Sequence, residues 1–229
     1  IPLPFQKADR VTFGHPDLEP NRLIWGDNLH VMRMLPSNSI DLIYIDPPFF
    51  SGTTYNVLFG DQNEIRSFSD IWEGGMPTYL IWLNTRLLEM KRLLKSTGTI
   101  YVHLDWHASH YVKQELDKIF GYDNFLNENI WHYFAFKRKS ARKFPQKHDM
   151  IFSYTKTQDY TWNTQFRPHS KEYLKRWKKD SSGRLYRDDL NTTKGGNRTV
   201  YLDELEGDII ESVWGDIPPV NPMAKERIG

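Results

Sequence analysis

Residues 42–52 read LIYIDPPFFSG: an apolar run that ends abruptly in an acid, two prolines, two phenylalanines and a small-residue turn. With Ile40 and Asp41 before it, the run predicts a buried strand over 40–45. Asp46 then falls where the strand leaves the sheet, since a carboxylate is costly to hide inside one. Pro47 and Pro48 carry no N–H and hold φ near about −65°, so no helix continues to consume the neighbouring carbonyls. The product is a rigid pair of acceptors, a carboxylate beside a carbonyl. Such a pair matches an amino group offering two N–H donors, and Phe49 supplies a flat ring that can stack on the ring bearing that amine. The residues alone leave a second reading open: a proline turn that closes a strand, with Asp46 as its cap.

Working outward, short β-like runs alternate with helical periodicity, the signature of an α/β domain with a largely parallel sheet. A strand is predicted over 23–25, ending in Gly26-Asp27, followed by an amphipathic stretch carrying Leu29, Met32, Met34 and Leu35. A loop is expected from Asp46 to about Gly75. Leu80, Leu83, Leu87, Met90 and Leu94 recur at steps of three and four and predict a helix with one buried face, ended by the STG at 96–98. A third strand is predicted at 99–105 (TIYVHLD). A helix that buries Val112, Leu116 and Ile119 and stops at Gly121 comes next, then strands at 129–133 and 150–154. In an open parallel sheet, ligands bind beyond the carboxyl ends of the strands. This reading puts Asp27, Asp46 and Asp105 on one rim. Beyond Tyr160 the pattern turns polar and loop-rich and reads as a recognition lobe.

The 229 residues, 39% of them apolar, suffice for one substantial core with a smaller appended lobe. The absence of cysteine excludes a disulfide framework and thiolate metal sites. No apolar run approaches the roughly 18–20 residues that cross a bilayer, and no membrane association is expected. The chain opens on Ile1 and carries no signal-peptide pattern, so it reads as an excised or processed piece of a cytoplasmic protein. Its net charge of +1 hides an asymmetry: from Lys137 to Arg187 there are 15 Lys and Arg against 4 Asp and Glu, a local balance of +11. These cations alternate with aromatics, among them Phe144, Tyr173 and Trp177, as suits a surface that meets phosphates and bases. The candidate DNA contacts are Lys137, Arg138, Lys139, Arg142, Lys143, Lys175, Arg176, Lys178 and Lys179. A merely solvated face is the alternative.

DPPF after an apolar strand resembles the catalytic DPPY/F/W motif of amino-group DNA methyltransferases. The blocks GDNLHVMRMLPSNSIDLIYIDPPF, YLIWLNTRLLEMKRLLKSTGTIYVHLDWHASHYVKQELDKIFG and KHDMIFSYTK, spanning roughly residues 22–157, resemble successive motifs of the adenine-specific (N6) family of bacterial restriction-modification systems, type III modification subunits included. The resemblance implies a partial, permuted (β-type) Rossmann-like α/β fold that uses S-adenosylmethionine, with residues 1–157 as catalytic region and 158–229 as target-recognition region. It further implies double-stranded DNA as substrate, a homodimer or restriction-subunit partner, and a prokaryotic cytoplasm. By position, Asp46 and the Pro47 carbonyl would hold the target amino group, Pro48 would fix the turn and Phe49 would stack on a flipped base. Asp27 and Asn28 would join Asp46 near the cofactor, although a turn-forming Gly-Asp is an equal reading. An initial Asp rather than Ser is similar to enzymes acting on adenine N6 more than on cytosine N4.

Two features depart from the pattern. In the permuted order a glycine-rich Phe-x-Gly-x-Gly cofactor loop comes last, and this chain has only KGGN at 194–197 before it stops at KERIG. The chain is therefore expected to be a fragment that, isolated, binds cofactor poorly or not at all. Many relatives also carry Asn where Phe50 stands. His103, Asp105, His107 and His110 in HLDWHASH offer metal-ligand chemistry, but a strand end beside the active-site rim is the preferred reading and no metal is expected. The alternatives to an adenine methyltransferase are a catalytically inactive DNA-binding or specificity component of the same fold, or an N4-cytosine or RNA methyltransferase.

Overall fold

The computed structural model describes residues 21–52, 54–58, 65–69, 72–134, 142, 144–190 and 195–219. Helix α1 (Asn28–Met34) leads to strand β1 (Ile40–Ile45), a hairpin of β2 (Thr54–Leu58) and β3 (Ile65–Ser69), helix α2 (Gly75–Leu93) and strand β4 (Leu94–Leu104). Helix α3 (Ser109–Phe120), β5 (Phe125–His132) and β6 (His148–Thr155) follow. Next come β7 (Phe166–Arg167), α4 (Lys171–Leu174), β8 (Lys178–Lys179), β9 (Leu185–Leu190), β10 (Asn197–Tyr201), β11 (Asp208–Ile209) and β12 (Val213–Trp214). The chain forms two compact units. One comprises the described residues up to Thr161 together with those from Val213, and the other runs from Trp162 to Ser212.

The first unit is built on a five-stranded sheet in the order β1-β4-β6-β5-β12. β1 pairs parallel with β4 and β12 parallel with β5, while β6 is antiparallel to both of its neighbours. Four strands therefore point one way, as the α/β pattern of the sequence implied, and β6 alone runs against them. Ile100, Val102 and Leu104 alternate along β4 onto the face that packs on the helices, where all three are fully buried. They meet Tyr79, Leu83, Leu87 and Met90 of α2 and Val112, Leu116 and Phe120 of α3, the stripes produced by the helical repeat. Each fully buried Leu or Phe contributes roughly 1.5–3 kcal/mol, which holds both helices on that face. Leu42 and Tyr44, on the opposite face of β1, are more than half exposed.

Several expectations are corrected. Residues 23–25 form no strand: Leu23 is wholly exposed and Trp25 largely so, and the three enter none of the described sheets, whose ladder hydrogen bonds are what hold an extended segment in place. α2 stops at Leu93 and β4 begins at Leu94, so the STG at 96–98 lies inside a strand. The β1–β4 register shifts between Ile40 and Leu42, and Gly98 sits in that irregularity. A Cβ on Gly98 would lie 3.1 Å from the carbonyl oxygens of both Ile40 and Asp41, so glycine allows the close approach. The loop expected from Asp46 to Gly75 contains the β2–β3 hairpin.

The second unit carries an antiparallel sheet β10-β9-β8 and a two-stranded pair β11-β7. Its start lies four residues beyond the expected boundary at 157/158, and its end precedes β12, which belongs to the main sheet. Of KGGN, Lys194 lies outside the described residues, Gly195 and Gly196 take the left-handed backbone (φ 68° and 86°), and Asn197 opens β10. These described residues lead into a strand and open no helix.

Candidate active site

Because β1 is a parallel strand, its carboxyl end delivers Asp46 to the rim of the sheet, as the sequence implied. The turn after it is pinned from below. Tyr79, fully buried in α2, donates its hydroxyl to the Pro48 carbonyl at 2.7 Å. The Pro47 carbonyl, beside the Asp46 carboxylate whose side chain is 59% exposed, receives no hydrogen bond from the described residues. Tyr79→Phe would leave the Pro48 carbonyl without its partner. Its expected cost is about 1–3 kcal/mol of unfolding free energy, measurable by urea denaturation.

Phe50 adopts φ 61°, in the left-handed region that disfavours a Cβ-bearing residue and that Asn tolerates best after Gly. The Asn that the resemblance implies for many relatives would suit this backbone better. Phe50 compensates by packing on the core, its ring 5.8 Å from that of Tyr79. Phe50→Asn, which keeps a Cβ, should relieve only part of the roughly 1–2 kcal/mol of backbone strain and lose about 1.5–3 kcal/mol of burial. The expected net destabilisation in a thermal melt is within about 1–2 kcal/mol, well below the roughly 3–5 kcal/mol usual for truncating a buried Phe.

A cavity of about 300 Å³ opens beside this turn, lined by Asn28, Tyr44, Ile45, Asp46, Pro47, Pro48, Trp82, Leu83, Arg86 and Met90. Asp46 and Asn28, 18 positions apart in the sequence, thus line one site. Asp27 does not line it. Contrary to the expected rim of three acids, Asp27 follows no strand; it caps α1, accepting from the Leu29 N–H at 2.8 Å, and receives Arg86 on both carboxylate oxygens at 3.1 and 3.0 Å. Arg86 also donates to the Asn28 side chain at 2.8 Å and lies over the Trp82 ring at 4.1 Å. The sequence reading missed Arg86. Its signal is a charge on the buried stripe of α2, between Leu83 and Leu87, which demands a partner.

His103 stands behind Asp46. On β4 it alternates with the core residues Val102 and Leu104 and so points to the opposite face, where only 7% of it is exposed. Its Nδ1 is 3.3 Å from Asp46 Oδ1 and its Nε2 is 3.4 Å from Asp149 Oδ2. Burial would depress its pKa, but the two carboxylates outweigh burial and push it up to about 9. Tyr133 donates its hydroxyl to Asp149 Oδ1 at 3.2 Å, and burial together with the Asp149 charge pushes the phenol up to about 12. Phe49 meets the His103 ring edge-on, with centroids 5.3 Å apart.

Asp105 is engaged locally. It holds the His107 N–H at 2.9 Å and the His107 ring at 2.7 Å, fixing the turn into α3. Among the described residues no three His, Asp or Glu are placed to hold a metal ion.

Of the candidate DNA contacts, Lys137, Arg138, Lys139 and Lys143 lie outside the described residues, and Arg142 is exposed. Lys175, Arg176, Lys178 and Lys179 flank the buried Trp177 in the second unit; all four are exposed, and none forms an ion pair with a described residue. Other cations of the basic stretch are used internally. Arg184 binds Asp203 at 2.7 Å, Arg187 pairs with Asp189, and Lys156 donates to the Leu94 carbonyl at 2.6 Å.

Residues 40–229 match the family model described as DNA methylase, and the chain belongs to that family. It is 30% identical over 170 residues to the type II methyltransferase M.EcaI of Enterobacter cloacae, covering 72% of this chain and 36% of that protein. To the Mod subunit of the type III restriction-modification enzyme StyLTI of Salmonella typhimurium it is 28% identical over 243 residues, covering 89% of this chain and 37% of that protein. The chain thus spans little more than a third of the length of either relative. Among solved structures it is similar to a DNA modification methylase of Thermus thermophilus complexed with S-adenosyl-L-methionine, with 18% identity, a TM-score of 0.44, and coverage of 87% of this chain and 68% of that one. No described helix is long and apolar enough to cross a membrane.

Proposed function

We propose that this chain carries the catalytic and target-recognition parts of a DNA methyltransferase that modifies adenine N6 in double-stranded DNA, using S-adenosylmethionine, within a prokaryotic restriction-modification system. The observation that carries the reading is the acceptor pair, the Asp46 carboxylate and the Pro47 carbonyl, held at the end of β1 on the wall of a cavity. The cavity volume falls at the lower end of small-molecule sites, about 300–1,000 Å³, and its lining joins an aromatic face at Trp82 to polar groups at Asn28 and Arg86, which fits a nucleoside-bearing cofactor.

S-adenosylmethionine, when bound, supplies an electrophilic sulfonium methyl. The chain's own task is to make the amino nitrogen nucleophilic. The N6 lone pair is delocalised into the purine ring. Accepting one N–H at Asp46 and the other at the Pro47 carbonyl draws that nitrogen toward a pyramidal geometry and localises the pair. Since N6 is paired within a duplex, the base must be flipped out, at a few kcal/mol of unstacking, and Phe49 at the site's edge would offset part of that cost. The exposed cations around Trp177 would hold the phosphates, and a second copy or a restriction subunit would complete the assembly in the cytoplasm.

The test is methyl transfer from labelled S-adenosylmethionine to duplex DNA by the full-length protein, followed by nucleoside digestion. Label in N6-methyl-2′-deoxyadenosine is expected. Label in N4-methyl-2′-deoxycytidine, or in RNA offered as a competing acceptor, would replace the substrate, and DNA binding without label would replace the enzyme by a specificity component.

A further inference from the structure

The arrangement around His103 goes beyond holding a loop. Both of its ring nitrogens face carboxylate oxygens, Asp46 at 3.3 Å and Asp149 at 3.4 Å. A neutral imidazole has one N–H and one lone pair, so in either tautomer it would turn a lone pair toward one of these anions. Only the imidazolium carries an N–H on both nitrogens, so that neither carboxylate meets a lone pair. The other oxygen of Asp149 is engaged in turn, since Tyr133 donates to Oδ1. The rings of Phe49 and Trp131 meet the imidazole edge-on at 5.3 and 5.8 Å and narrow the access of water. Among the described residues, the titratable groups facing His103 are thus Asp46 from the end of β1 and Asp149 from β6, with Tyr133 behind the latter.

We infer that His103 is a positioning residue: as an imidazolium anchored on Asp149, it clamps Asp46 Oδ1 and turns Oδ2 alone toward the target amino group. The inference rests on the reading of Asp46 as the amino-group acceptor. A carboxylate free to rotate could approach the amine with either oxygen and in many orientations; one held at Oδ1 presents a single acceptor in a fixed direction, next to the equally fixed Pro47 carbonyl. The contact engages Oδ1 and leaves the other oxygen, the one that does the work, unoccupied by His103. Asp149 balances the cation, so that Asp46 is not neutralised by a full ion pair of its own.

The clamp has a pH signature. A group raised from its ordinary value near 6.5 to about 9 is fully charged below the lower value and loses its contribution as pH rises through the upper one. In the full-length protein, with ¹³C-labelled histidine, His103 is expected to titrate near 9 by NMR, and its midpoint should fall by a unit or more in both Asp149→Asn and Asp46→Asn. With saturating DNA and cofactor, His103→Gln should lower kcat about 10- to 100-fold while the KM for DNA changes less than about threefold. In Asp149→Asn the alkaline limb of kcat should move to lower pH. A midpoint near 6.5 in the wild type, or one indifferent to Asp46→Asn, overturns the clamp, as does a His103→Gln enzyme of normal kcat. If His103→Gln does not fold, the histidine titration in the two Asn variants decides the matter. The two readings fail separately: a wild-type protein that methylates nothing removes the proposed function, while a titration near 9 that depends on Asp46 would still establish the clamp as a feature of the fold.

Discussion

Asp46→Ala in the full-length protein is expected to slow methyl transfer by at least about 10²-fold, the scale on which removing one preorganised electrostatic group acts in other enzymes. On the proposed function, one of the two acceptors for the target amino group is then missing, and the Pro47 carbonyl alone would not draw both hydrogens. DNA binding should largely persist, because the exposed cations lie elsewhere in the chain. Asp46→Asn is the sharper variant. It keeps an acceptor oxygen and the shape, but it removes the charge that steadies the developing positive nitrogen and places an amide before His103, 3.3 Å away. Single-turnover methylation well below wild type, with a melting temperature within a few degrees of it, is the expected outcome. A near wild-type rate with normal stability would make Asp46 a turn residue and remove the basis of the proposed function.

Reversing Lys175, Arg176, Lys178 and Lys179 together to Glu is expected to weaken DNA binding at least about 10²-fold near physiological salt. Each phosphate contact on duplex DNA contributes about 0.9 to the slope of log affinity against log salt, so losing up to four contacts should flatten that slope by about 3–4. The four are chosen because the structure leaves them exposed and without ion pairs among the described residues, whereas Arg184 and Arg187 are engaged by Asp203 and Asp189. Fluorescence anisotropy on duplex DNA at several salt concentrations reads both numbers. Unchanged affinity and slope would make this charge run a solvated face.

Both predictions begin from features legible in the chain alone. Strand β1 and the acid at its end, and the buried stripes of α2 and α3, follow from hydrophobic periodicity, because a residue's spacing determines which side of an element it faces. The +11 balance between Lys137 and Arg187 is likewise a property of composition. Arg86 is legible in the same way, as a charge that interrupts the apolar stripe of α2.

What the spacing could not supply is which groups meet across elements. His103 and Asp149 are 46 residues apart, and Arg86 and Asp27 are 59 apart; the strand order β1-β4-β6 and its registers, and the seating of α2 beside α1, bring each pair together. The same tertiary pairing decided that residues 23–25 are not a strand, that β4 begins five residues early, and that Val213 and Trp214 return to the main sheet. The physical reason is common to all of these. A local pattern determines the face a side chain presents, whereas its partner, and so its charge and its chemistry, depends on a register that only the assembled sheet and helices possess.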